Sequence, residues 1–275
     1  MDEMDKGDVE VIMVKIDIIS GFLGAGKTTL IKKLLQDAFK GQQVVLIENE
    51  VTIKVKLNNL IVTKEGENLW IPLDDISMIV MDNLSSMLSA RLLCQLSEQG
   101  IGLMICNQKH LPTGYYSSYD NHSRASKVID YQIEKSKEYY EQLWRNIVTV
   151  KIQNQSKAYF RLTNDLEGTR MIEEFSTGIM NGDKSNREAH AAKVYFNLLM
   201  GTSFSRGNED ILLNSGLDYG YAVLRGYIAR VCVGYGLNTQ IGIHHKNEYN
   251  RFNLVDDLME PLRPLIDIVA YEVMK

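Results

Sequence analysis

Proline is scarce here, with four in 275 residues. Few positions are therefore barred from helix or interior strand by a missing N–H. Cysteine is scarcer still. Cys94, Cys106 and Cys232 lie far apart among apolar neighbours, and no Cys-x-x-Cys pair occurs. That excludes a zinc ribbon and a disulfide framework, and buried, reduced thiols are expected. Near-continuous apolar runs, such as 76–81 and 101–106, fall far short of the ~20 residues a spanning helix needs. No membrane partner is expected. Residues Met1 to Asp5 are acidic where a secretory signal would be basic, so a cytoplasmic protein is expected. Basic charge is also in deficit. The formal net charge is −5, and residues 1–50 supply −3 of it, with six basic against nine acidic side chains. This argues against a uniformly basic nucleic-acid-binding surface but leaves room for a local one.

What is present is an ordinary globular balance, 45% hydrophobic and 24% charged, well away from disordered compositions. Residues 12–19 read as a buried strand, followed by a glycine-rich turn, a helix over about 28–39 and a second strand at 44–47. The period then changes. Residues 51–57 alternate, Asn58-Asn59 and Gly66-Glu67-Asn68 mark turns, and strands are expected at 60–63, 69–73 and 76–81. These read as hairpins with mostly antiparallel pairing. Residues 85–98 have helical spacing, 101–106 form a buried strand, and 111–123 have loop chemistry. Beyond that, helices are expected at about 125–153, 164–180, 186–200, 208–235 and 253–273. The fold class is α+β: a strand–loop–helix appendage (1–42), a small β-rich N-terminal domain (43–115) and an α-helical catalytic domain (116–275).

Between the first strand and helix stands Gly21-Phe22-Leu23-Gly24-Ala25-Gly26-Lys27-Thr28-Thr29. This is a Walker A pattern in its proper context. Glycines such as Gly24 and Gly26 let backbone N–H groups close on phosphate, Lys27 would reach β/γ oxygens, and Thr28 would hold magnesium. With its flanks, about 13–50, the segment resembles the CobW family of GTPases and metallochaperones. That family's Cys-x-Cys-Cys and Asn-Lys-x-Asp motifs are absent. Asp82 is the one candidate second magnesium ligand, and the hairpin reading places it away from the loop. Hydrolysis also needs a positioned water, so weak phosphate binding is the expectation.

Three segments of the helical half carry chemistry. In Ser185-Asn186-Arg187-Glu188-Ala189-His190, Ser185 or Asn186 is expected to cap a helix, with Glu188 in its first turn. Gly242-Ile243-His244-His245-Lys246-Asn247 supplies two imidazoles. Asp256-Asp257-Leu258-Met259-Glu260-Pro261 places Asp257 and Glu260 three apart, on one helix face. Carboxylates with one imidazole suit Mg2+ or Mn2+, which activates a hydroxyl for attack on a phosphodiester. Each residue also has a plainer reading. Glu188 could complement a helix dipole, either histidine could sit in a solvated loop, and Asp256-Asp257 could be an exposed cap.

The run from Ser185 to Phe196, the run Asn214 to Leu224, and Asn253 through Glu260-Pro261 to Leu265 resemble the Cas1 family of CRISPR adaptation integrases, type II systems most. The likeness covers about 51–275. It implies a metal bound by Glu188, His245 and Glu260, with Asp257 auxiliary. His245 is taken over His244 because Asn247 completes a His-x-Asn arrangement. Arg187 and Arg263 are implied as phosphate contacts. It further implies a homodimer, a small Cas2 partner and double-stranded DNA, both repeat and incoming spacer. Rival readings are a GTP-dependent metallochaperone and a DNA-binding fusion with impaired catalysis.

Overall fold

Unbroken apolar runs suit strands covered on both faces of a parallel sheet. The computed structural model describes residues 18–19, 33, 44–108, 112–118, 122–207 and 212–274. Nine strands fall among them, in two sheets. The first sheet runs β1 (Ile18–Ile19), β2 (Val44–Ile47), β6 (Met78–Met81), β8 (Gly102–Cys106) and β9 (Pro112–Tyr116). Its first four strands are parallel and β9 is antiparallel. The second sheet runs β5 (Glu67–Pro72), β4 (Asn59–Lys64), β3 (Thr52–Lys56) and β7 (Met87–Leu88).

Every residue of β2 and β6 is buried. Val44, Leu46, Met78, Val80 and Met104 join the core of the helical half. Val45, Ile47, Ile79 and Leu103 pack with the second sheet and with Leu92 and Leu96. The first sheet is thus the middle layer of the molecule.

The hairpin expectation holds for β3, β4 and β5 only. Leu57-Asn58 and Glu65-Gly66, all at positive φ, close the two turns. Residues 78–81 break the pattern, because β6 pairs in parallel with β2 and leaves the hairpins behind. Asp82 therefore stands at the carboxyl end of a parallel strand, its N–H donating to the Ile47 carbonyl at 2.8 Å. That corrects its placement as a hairpin residue. The motif residues Gly24, Gly26, Lys27 and Thr28 lie outside the described residues. Within that N-terminal region, β1 lines up with β2, Ile18 opposite Leu46 and Ile19 opposite Ile47. Lys33 forms an ion pair with Glu272.

Other boundaries moved for local reasons. The helix expected at 85–98 begins later, as α1 (Ala90–Glu98), because Met87–Leu88 pairs with β3. The Ser89 hydroxyl caps it, accepting from the Leu92 N–H at 3.2 Å. Residues 112–116 are a strand rather than a loop. The expected helix at 125–153 is broken in two, α2 (Ala125–Ile133) and α3 (Lys137–Thr163), because Ser136 caps a new start. There follow α4 (Leu166–Glu174), α5 (Arg187–Met200), α6 (Leu212–Gly234), α7 (Asn253–Met259) and α8 (Arg263–Met274). Helix α3 is the axis of this half and touches α4, α5 and α8. Helix α6 lies close on the first sheet: a Cβ at Gly226 would meet the Met104 methyl at 2.1 Å.

Cys106 and Cys232 are buried, and burial pushes their thiols up to about 12 and about 11. Cys94 is exposed, contrary to expectation. Among the described residues no helix is long and apolar enough to cross a membrane.

Candidate active site

The expected ligand segments meet on one face of α3. That face is set by spacing: Trp144, Val148, Lys151 and Gln155 recur at helical intervals and are buried. Asn154 donates to the Pro261 carbonyl at 2.8 Å, which ties α3 to the turn carrying Glu260.

Glu188 sits in the first turn of α5. Neither Ser185 nor Asn186 caps that helix. Asn186 is left-handed, with φ of 53° and no capping bond. Asp183 does it instead, accepting from the N–H groups of Arg187 at 2.9 Å and Glu188 at 3.0 Å. One carboxylate thus satisfies two orphan donors and fixes where Glu188 points.

Glu260 begins a short 3-10 turn, Glu260–Leu262, between α7 and α8. Pro261 follows it and cannot donate the bond that would continue α7. Oε1 of Glu260 accepts from the Arg263 guanidinium at 2.8 Å, and Oε2 pairs with the Lys151 ammonium. The same ammonium pairs with Oε1 of Glu188. Burial pushes the Glu260 carboxyl up, but Lys151 and Arg263 outweigh it and hold it below the usual carboxylate range. Among the described residues, no three His, Cys, Asp or Glu side chains are grouped as they would be around an ion. Two of the expected ligands close on an ammonium instead.

His245 is the third. Its ring Nδ1 lies 2.6 Å from Oδ1 of Asp257. Asp257 is fully buried and also accepts the N–H groups of Ile243 at 2.6 Å, His244 at 2.9 Å and His245 at 3.2 Å. It is therefore the anchor of the histidine loop, not an exposed cap. That bond to Asp257 raises the His245 pKa, against the opposing effect of burial, and the charges of Asp257, Glu260 and Asp256 raise it further. The Glu260 charge thus acts on the His245 ring. Gly242 makes the loop possible: a Cβ there would meet the His245 carbonyl at 2.1 Å. His244 stacks flat on Trp144, with centroids 4.3 Å apart and planes at 4°, while His245 meets the same ring edge-on. Asp256 is buried too, held by Arg225 at 2.7 and 2.6 Å and by Asn250 at 2.7 Å.

The remaining candidates are placed as follows. Arg263 spends its guanidinium on Glu260 and the face of the Tyr221 ring, 4.7 Å away. Arg187 is half-buried and His190 is exposed. Sequence reasoning missed Lys151, Trp144 and Asp183. A lysine seven residues after a tryptophan, on the apolar face of a long helix, is the signal that was there to be read.

The family model described as CRISPR associated protein Cas1 matches residues 44–275. The chain belongs to the Cas1 family. CRISPR-associated endonuclease Cas1 of Neisseria meningitidis serogroup C (strain 8013) is 38% identical over 226 residues, 82% of this chain and 74% of that protein. Two solved structures share the fold, each at a TM-score of 0.66. One, titled Cas6-RT-Cas1--Cas2 complex, is 19% identical and covers 86% of this chain; the chain spans 28% of that longer one. The other, titled Casposase bound to integration product, is 18% identical and covers 84% of this chain and 72% of its own. The Cas1 match begins at β2, so the Walker A segment lies before it.

Proposed function

We propose that this Cas1-family chain is a metal-dependent DNA integrase and endonuclease of CRISPR spacer acquisition. One observation carries the reading: Glu188 and Glu260, brought from two separate elements, converge on the Lys151 ammonium of α3, the helix whose Trp144 ring His245 meets edge-on. The donor set fits Mg2+ or Mn2+, two carboxylates and one imidazole. The imidazole is already oriented, because a carboxylate on Nδ1 leaves Nε2 to face a ligand. Glu188, His245 and Glu260 would hold the ion, with Asp257 in support. When bound, the ion would stabilise charge on a phosphodiester and favour deprotonation of an attacking hydroxyl.

The reaction is a transesterification. The 3′-hydroxyl of the incoming DNA attacks a phosphodiester at the repeat border. A new P–O bond forms, the old one breaks, and a proton passes from the attacking to the leaving oxygen. Phosphodiester bonds are conserved, so no nucleotide is consumed. Arg187 is the candidate phosphate contact, and Arg263 acts through Glu260.

The partners in this reading are double-stranded DNA, a second copy of the chain and a Cas2 subunit, in the cytoplasm. The solved neighbours support it by what their titles name, a complex with Cas2 and a bound integration product. The motif residues Gly24, Gly26, Lys27 and Thr28 are given weak phosphate binding and no role in joining. A strand-transfer assay with Mg2+ or Mn2+, with and without Cas2, tests the proposal. Joined product that requires the divalent ion supports it. Duplex binding without joining under all four conditions would leave only the scaffold reading.

A further inference from the structure

The metal reading leaves one group in the site without a task. Lys151 has 7% of its side chain exposed, and its ammonium is shared between Oε1 of Glu188 and Oε2 of Glu260. Burying an ammonium is costly unless it is paired, and this one is paired twice. The second oxygen of Glu260 is held by Arg263 at 2.8 Å. Lys151 and Arg263 together carry the charge that Glu188 and Glu260 need. The charges of the four groups sum to zero.

An arriving divalent ion would compete with Lys151 for Oε2 of Glu260, whose Oε1 Arg263 already holds, and for Glu188, whose Oε1 the same ammonium holds. Were the ammonium to stay, the ion's two positive charges would join four partly buried groups whose own charges sum to zero, with Asp257 the remaining carboxylate of the site. In such surroundings that repulsion is large. The helix gives Lys151 no other carboxylate among its described ion pairs.

We infer that Lys151 is the built-in counter-ion of the metal site: its ammonium holds Glu188 and Glu260 in the ion's absence and must leave them when the ion binds, so it sets the affinity for metal. This rests on the metal reading above. In chemical terms Lys151 is a positioning residue. It keeps two carboxylates together before the ion binds and raises the ion concentration at which the site fills.

The test measures binding rather than joining. Mn2+ is titrated into the wild-type chain, Lys151→Met, Lys151→Arg and Glu188→Ala, and followed by calorimetry and by the paramagnetic resonance of free Mn2+. Lys151→Met, with the stem kept and the charge removed, is expected to bind Mn2+ about tenfold more tightly, the ratio that about 1.4 kcal/mol of competing ion pairing produces. Lys151→Arg, with the charge kept, is expected to stay near wild type. Equal or weaker binding by Lys151→Met overturns the inference. Should Lys151→Met fail to fold, the wild-type chain still decides. Lysine acetylation read by mass spectrometry is expected to spare Lys151 without Mn2+ and to modify it with saturating Mn2+. Unchanged protection at saturation overturns the inference. Failure of the metal reading itself looks different: neither wild type nor Lys151→Met would take up Mn2+ beyond the level of Glu188→Ala, and both proposals would fall.

Discussion

Asp257 and His245 are joined at 2.6 Å, carboxylate Oδ1 to ring Nδ1, while the other carboxylate oxygen collects the N–H groups of Ile243 and His244. One buried side chain therefore fixes both the loop and the imbalance of the ring. The His245 pKa is raised by this bond. Stability from the pair is accordingly full below the unfolded value of about 6.5 and is lost as pH rises through the folded value. Metal binding has the opposite sign, because the ligand form of the ring is neutral. Mn2+ affinity in the wild type is expected to weaken as pH falls through that raised pKa. In Asp257→Asn, which still accepts an N–H, the midpoint should move to lower pH. A midpoint that stays put would show that Asp257 does not tune the ring.

The two carboxylates on Lys151 differ in burial, and their substitutions should differ in kind. Glu188 is about one-third exposed and Glu260 has 7% of its side chain exposed. Alanine at either position is expected to abolish strand transfer. Glu188→Ala should leave the melting temperature nearly unchanged. Glu260→Ala takes the carboxylate from Arg263 and one of two carboxylates from Lys151, at a cost on the order of 1–3 kcal/mol, and should melt a few degrees lower. His245→Ala should abolish joining, whereas His244→Ala, which removes only a ring stacked on Trp144, should reduce it less. Calorimetry and joining assays on the four variants check this ordering. Activity lost with His244 and kept without His245 would reverse the ligand assignment.

The helical half was legible because helical spacing carries the information. Spacing left Glu188, His245 and Glu260 open to plainer readings, and only the resemblance to the Cas1 family singled them out; the structure brings Glu188 and Glu260 together on Lys151. The middle sheet was harder to read. Residues 76–81 form an apolar run that fits a hairpin strand and a parallel one equally, and only burial on both faces separates them. Asp183 capping α5 in place of Asn186 depended on a left-handed residue at 186 that no pattern signals. Lys151 was missed for a different reason: its place on the apolar face, seven residues after Trp144, sets it apart from the other two lysines of this 27-residue helix, but its role shows only when both partners arrive, 37 and 109 residues further on.

The N-terminal segment adds to the sheet without being part of the Cas1 match. Strand β1 covers one edge of β2, whose four residues are all buried. Lys33 pairs with Glu272, both partly exposed, a contact worth about 0–1 kcal/mol. Removing residues 1–42 should uncover that edge, lower the melting temperature by a few degrees and promote self-association. The helical half should stay folded and strand transfer should persist. Lys27→Ala in the full chain should change neither joining nor stability, and GTP hydrolysis should stay at background. Light scattering, calorimetry and a phosphate-release assay read the outcomes. A GTPase rate that depends on Lys27 would make the chain bifunctional.

Asp267 lies one turn beyond Arg263, fully buried, and accepts a hydrogen bond from the Tyr221 hydroxyl. Burial pushes its carboxyl up to about 6, against the pull of Tyr221 and the nearby arginines. A raised carboxylate pKa works against stability at neutral pH. The folded state holds the proton more tightly than the unfolded one, so this group's contribution is greatest below the unfolded value of about 3.9. It declines as pH rises and is flat above about 6. The cost above that point is on the order of 1–3 kcal/mol. Asp267→Asn removes the charge and keeps an acceptor for Tyr221. The variant is expected to melt several degrees higher at pH 8, with the gain shrinking towards zero by pH 4. A gain of equal size at both pH values would mean that packing, not charge, is what Asp267 costs the fold.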